Sequence, residues 1–356
     1  MTLFFLFTNI LSAQESKTDS TKQKAFDWMA YPYAMYTPES SFAFGVAGIA
    51  YFRTSRRKGT LPSQVAFSAY YTVNKQFSTF WAPIIYFNEN KDEVSGELYI
   101  ANKIDKFYGV GSNARDIPQP DYHFRISEIS VNFKRKVYGI IKVIATYKYI
   151  YYNVFDKLSN PFLENGALTG VNGGNDSGLG FGINVDNRDN IFFPSAGTYM
   201  DFYSLFYTEW LGSYFAYNEY VLDARYYRAL GNKNRVLALQ LYSAVTTGDT
   251  PFYSMPRLGG PWMMRGYFEG RFRDKTYSTL QAEYRDEFFW KLGFAVFASM
   301  GNVGSTLSSY KLTEMKYSYG LGLRYMFDQK ERINIRFDVA FGANTSGIYF
   351  GIKEAF

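Results

Sequence analysis

Few residues in this chain can do chemistry. Its 356 residues include one histidine and no cysteine, which excludes thiolate metal sites, cysteine nucleophiles and disulfides. His123 stands in the run Asp121-Tyr-His123-Phe-Arg-Ile-Ser127. A Ser/His pair needs a third group to orient the imidazole and donors placed for an oxyanion. No neighbouring motif supplies them, so His123 reads as a solvated loop-edge residue and no enzyme is expected. Asp186 and Asp189 lack the alternating oxygen ligands and closing Glu of a calcium loop. Asx-turn formation ahead of Pro194 and Gly197 is their expected role, and neither metal nor cofactor is expected. Gly109-Val-Gly111 and Gly178-Leu-Gly180-Phe-Gly182 precede no helical pattern, so they are not phosphate cradles. The run Arg53-Thr-Ser-Arg56-Arg57-Lys58 reads as a solvated basic turn.

Composition narrows the class. A net charge of +6 is too small to point to nucleic acid, and 47% hydrophobic with 20% charged residues is far from the disordered regime. Aromatic residues make up 20% of the chain, yet its mean hydropathy is negative.

The elements that would position any site are strands. Met315, Tyr317, Tyr319, Leu321, Leu323, Tyr325 and Phe327 share one face, opposed by Lys316, Ser318, Gly320, Gly322 and Arg324. The same period of two runs through 332–342 and 139–151, whereas an amphipathic helix would repeat at 3.6. The class is all-β. Turn signals divide the chain into about sixteen strands, the first spanning 31–36, with a phase break expected near Glu128 in 122–135. Long connections (104–121, 154–177, 248–275, 303–314) alternate with short ones, as outer loops and periplasmic turns do in an outer-membrane barrel. Residues 1–13 read as a signal peptide, 14–30 as a flexible leader and 31–356 as one closed antiparallel transmembrane β-barrel. Its apolar face would meet outer-membrane lipid, and its polar face would line a lumen.

A loop, a turn and a pair of strands resemble one known family, and the last strand resembles the ends of outer-membrane barrels at large. Met264-Arg265-Gly266-Tyr267 is similar to the VRGF/VRGY motif of the BamA/TamA/FhaC superfamily, also called the bacterial surface antigen barrel. Asp186-Asn-Arg188-Asp189-Asn, followed by Phe193-Pro194 and Gly197, resembles its mid-barrel turn. Ala282-Glu283-Tyr284-Arg285 and Phe297-Ala-Ser299-Met-Gly301 resemble the strands that receive the motif loop, and Ile348, Phe350, Ile352 and Phe356 resemble a terminal segment recognised by insertion machinery. Glu354 falls where an apolar residue would continue that last pattern.

The resemblance implies a sixteen-stranded barrel that inserts or translocates polypeptides, or supports an outer-membrane assembly complex. The open alternative is a passive pore or structural barrel. Implied partners are outer-membrane lipid, periplasmic or outer-membrane proteins and client polypeptides. It also implies that the motif loop folds inward. An inward guanidinium, which a protein cannot neutralise, needs a carboxylate. Glu283 is the candidate, Gly266 permits the tight tip, and Ser299 stands where the family commonly has a second acid. Family members carry periplasmic polypeptide-transport-associated domains, for which the short leader leaves no room, so other proteins would have to replace them.

Overall fold

The computed structural model describes residues 26–37, 41–54, 61–118, 120–329 and 332–356. The expected signal segment, most of the leader, Pro38 and the turn residues Arg56, Arg57 and Lys58 lie outside them. The strands are β1 Phe26–Thr37, β2 Ser41–Phe52, β3 Ser63–Thr72, β4 Phe77–Phe87, β5 Asp92–Lys106, β6 Asp121–Tyr138, β7 Ile141–Asp156, β8 Gly173–Asp186 and β9 Gly197–Tyr207. They continue as β10 Tyr217–Leu230, β11 Asn232–Gly248, β12 Arg257–Leu258, β13 Phe272–Arg273, β14 Thr276–Phe289, β15 Leu292–Gly304, β16 Lys316–Asp328, β17 Ile333–Gly342 and β18 Thr345–Ile352. Sixteen of them form one antiparallel sheet in which chain order is sheet order, and β12 with β13 forms a separate two-stranded stem. Among the described residues no helix is long and apolar enough to cross a membrane.

The expected closure of the barrel is corrected by the strand order. The sheet runs from β1 to β18, and these two strands do not pair with each other. The ends explain why. β18 follows β17 from Thr345 to Ile352, Lys353 N still donates to Asn334 O at 2.7 Å, and the chain then turns away at Lys353, whose φ is 70°. Glu354 and Phe356 turn inward and are buried, so β18 offers only eight residues against the twelve of β1. Pro32 on β1 has no amide proton to give a further ladder, which suits it to an edge. The first strand also differs from expectation, pairing with β2 from Phe26 to Thr37 rather than spanning 31–36. In β6 the irregularities lie at His123/Phe124 and Lys136/Tyr138, not at Glu128. Glu128 is an inward residue paired with Lys148 at 3.1 Å.

The two faces differ as the period of two requires. Tyr319, Leu321, Leu323, Phe327, Ile348 and Phe350 are all more than 60% exposed on the outer face. Glu283, Arg285, Arg324, Arg336 and Asp338 are buried on the inner face. The heavy aromatic content is therefore turned largely outward. At the end with long connections, Phe107, Tyr122, Phe124, Tyr152 and Phe252 pack with Leu163 and Val171 into an aromatic cap.

Candidate functional site: a loop clasped to the inner face

The connection between β11 and β14 is built to fold inward. Its base is the β12–β13 stem, with Arg257 opposite Arg273 and Leu258 opposite Phe272. At the tip, Tyr267 N donates to Met264 O at 3.2 Å and Gly260 N to Tyr267 O at 3.1 Å. The reversal needs Gly266 at φ 106°, and a Cβ there would stand 2.8 Å from the Phe341 carbonyl carbon. No side chain fits.

Arg265 projects from this tip and is 1% exposed. Its Nη2 donates to Glu283 Oε2 at 2.5 Å and its Nη1 to Asp338 Oδ2 at 2.6 Å. The guanidinium carbon lies 3.4 Å from the Phe297 ring centroid, so the cation also stacks on an aromatic face. Both carboxylates are shared. Glu283 Oε1 accepts from Arg285 Nε at 2.8 Å. Asp338 accepts from Arg324 Nη1 at 2.6 Å and Arg336 Nη1 at 3.0 Å. The inward tail extends the network, because Glu354 Oε2 accepts from Arg324 Nε at 2.7 Å and Phe356 O accepts from Arg285 Nη2 at 2.8 Å. Low dielectric makes such charge-assisted bonds strong, and the fixed fork of arginine holds their geometry.

The motif residues bind the last strands. Gly266 N donates to the Tyr349 hydroxyl at 2.8 Å, and Thr345 Oγ1 donates to Gly266 O at 3.0 Å, so the tip touches edge strand β18 directly. Tyr267 OH donates to Tyr317 O at 3.1 Å and accepts from Ala343 N at 2.9 Å. A Cβ on Gly342 would come within 2.6 Å of the Tyr267 ring, so that strand position is kept empty for it. Ser299 contributes no bond to Arg265; its Oγ pairs with Ser318 Oγ at 2.8 Å. The second acid is Asp338, which sequence reasoning passed over as one polar residue in an alternating strand.

The mid-sheet turn 187–196 is a second inward feature. Arg188 forks onto Asp186 at 2.9 and 2.8 Å. Asp189 accepts from the amides of Ser195 and Ala196 and from the Ser195 hydroxyl. Pro194 is buried within the turn, and Gly197 leaves it at φ 109°. The turn carries Phe193 inward to lie 5.9 Å from the Arg285 guanidinium and 4.3 Å from that of Arg332. A residue between β8 and β9 thus reaches the network held by β14 and β17. At the opposite end the loop is locked by buried Asp176 on β8, which accepts from the hydroxyls of Tyr217, Tyr253 and Ser254 at 3.0, 3.2 and 3.1 Å. Sequence reasoning missed Asp176 as well.

His123 lies apart from all this. Its Nδ1 is 3.9 Å from Asp156 Oδ2 and its ring packs 5.6 Å from Phe155. Among the described residues no group of three His, Asp or Glu side chains could hold a metal ion.

An outward apolar skin, a polar inner face and a loop clasped inside define a strand-built protein with the two faces of an outer-membrane sheet. The comparisons give the particular family. Residues 62–356 match the Omp85 superfamily domain, and the chain belongs to that superfamily, whose members act in outer-membrane protein insertion and translocation. Its place is the bacterial outer membrane. The fold resembles that of BamA from Haemophilus ducreyi lacking POTRA domains 1–3, at 13% identity and TM-score 0.63, covering 93% of this chain and 71% of that one. It also resembles CdiB from Acinetobacter baumannii, at 12% identity and TM-score 0.57, covering 93% of this chain and 60% of that one. No match is found among curated proteins.

Proposed function

We propose that this protein inserts or translocates polypeptides at the outer membrane, or supports a complex that does so. The observation carrying this reading is the join between the clasped loop and the unpaired edge. The tip that buries Arg265 also bonds Thr345 and Tyr349 of β18, and β18 does not pair with β1. An unpaired strand edge presents backbone donors and acceptors to which an extended polypeptide can add. A loop holding that edge from inside can set its position. The passive-pore reading is weaker, because the loop is clasped to the inner face through Arg265 and the loops at the long-connection end pack together around Phe107 and Phe252.

The experiment is depletion followed by a quantitative outer-membrane proteome. Loss of a defined set of outer-membrane or exported proteins is the expected result. An unchanged proteome, together with large and steady single-channel conductance in planar bilayers, overturns the proposal in favour of the pore.

A further inference from the structure

One surface is used by neither the clasp nor the lipid-facing skin. The β6–β7 hairpin ends opposite the long loops, and residues 135–140 are exposed without a break. β5 supports β6 only as far as the Asp92–Arg135 pair, with one further bond from Lys136 N to Lys91 O at 2.8 Å. On the other side, β8 pairs with β7 from Ile141 onward. Residues 137–140 therefore stand past both neighbours; Val137 continues the outward row of Ile129 and Val131, whereas Tyr138 (81% exposed) and Ile140 are exposed at the tip beyond the irregularity at Lys136/Tyr138.

The tip is also basic. From Ile129 to Phe155 the chain has Lys134, Arg135, Lys136, Lys142 and Lys148 and no acidic residue. Lys134 pairs with Glu93, Arg135 with Asp92 and Lys148 with Glu128. Lys136 and Lys142, opposite each other in the ladder, form no ion pair among the described residues. Their position in the alternation gives the side they face. They continue the row of Lys134 and buried Ile144, which faces inward, whereas exposed Ile129 and Val131 mark the outward row. Lys142 has the Asp186 carboxylate of β8 as an electrostatic neighbour, Lys136 is exposed at the tip, and both lysines face away from the lipid side, which disfavours phospholipid headgroups.

We infer that this hairpin is a docking point for an acidic polypeptide segment bearing apolar side chains, supplied by a protein on the periplasmic side. The inference rests on the proposed function for its orientation. Carboxylates would meet Lys136 and Lys142, steering the encounter, and apolar side chains would cover Tyr138 and Ile140.

The test uses the full chain in detergent micelles and a fluorescent synthetic peptide of alternating Glu and Leu, read by anisotropy. The combined variant Lys136→Glu with Lys142→Glu should weaken binding by at least about tenfold, and Tyr138→Ser should weaken it further. A Lys/Leu peptide should not bind wild type. Heat-modifiable gel mobility establishes that the variants are folded. Equal binding by wild type and variant, or none by wild type, overturns the inference. So does a variant that loses binding to phosphatidylglycerol vesicles but keeps the peptide, since the hairpin would then be a lipid contact. Peptide binding with an unchanged outer-membrane proteome after depletion would leave the docking site standing and remove the assembly reading.

Discussion

Replacing Arg265 by alanine tests whether the loop is held by the buried network. The change removes bonds of 2.5 and 2.6 Å to Glu283 and Asp338 and the stack on Phe297. Breaking a buried ion pair costs about 3–5 kcal/mol when the remaining charge is stranded. Here neither carboxylate is stranded, because Glu283 keeps Arg285 and Asp338 keeps Arg324 and Arg336. The expected loss therefore lies near the lower bound, about 3 kcal/mol. Arg265→Lys should lose roughly half of that, since an ammonium cannot fork onto two acids. Asp338→Asn should cost more than Arg265→Ala, because it withdraws the charge facing three guanidiniums at once. The assay is urea unfolding in micelles followed by tryptophan fluorescence. Trp262 reports locally, lying 4.5 Å from the Arg336 guanidinium. The midpoint should fall at unchanged slope, and trypsin should cut faster at Arg257 and Arg271. A loss below about 0.5 kcal/mol, the scale of a neutral surface change, with unaltered protection refutes the clasp. An Asp338→Asn variant milder than Arg265→Ala refutes the argument from shared carboxylates.

Three further perturbations probe the same arrangement. Gly266→Ala places a Cβ 2.8 Å from Phe341 at a φ of 106°, which should cost at least about 1–3 kcal/mol and release the Tyr349 bond, seen as faster hydrogen exchange at residue 266. Asp176→Asn removes the charge receiving three hydroxyls, so residues 251–256 should exchange faster while the Arg265 region stays protected. Phe193→Ala empties a buried site in the mid-sheet turn, with an expected loss of about 3–5 kcal/mol and faster hydrogen exchange around Arg285 and Arg332, against which the ring lies. Unchanged stability and exchange would show that the turn does not brace the network.

The period of two made the strands, their faces and the loop alternation legible, because each depends on neighbours in sequence. Leu280 outward and Glu283 and Arg285 inward follow from that period alone. Closure was not legible. It depends on whether two segments at opposite ends of the chain meet, and no local pattern records that Lys353 turns the tail inward. Glu354 carried a trace of it, since a carboxylate at a lipid-facing position violates the alternation. The violation marks the point where the strand has ended and the chain serves the inner network.

Asp338 shows what kind of signal would have completed the site. Along 332–342 it looks like any polar residue opposite Phe337 and Val339. Arg324 and Arg336 nevertheless occupy inward rows of the same strand pair, and a buried guanidinium cannot shed its charge. Those rows must contain acids close enough to be shared. Asp338 and Glu354 are the acidic side chains described after Asp328, so matching inward arginines to inward acids across neighbouring strands selects them without the motif. The motif names Arg265, but charge balance across strands identifies what holds it.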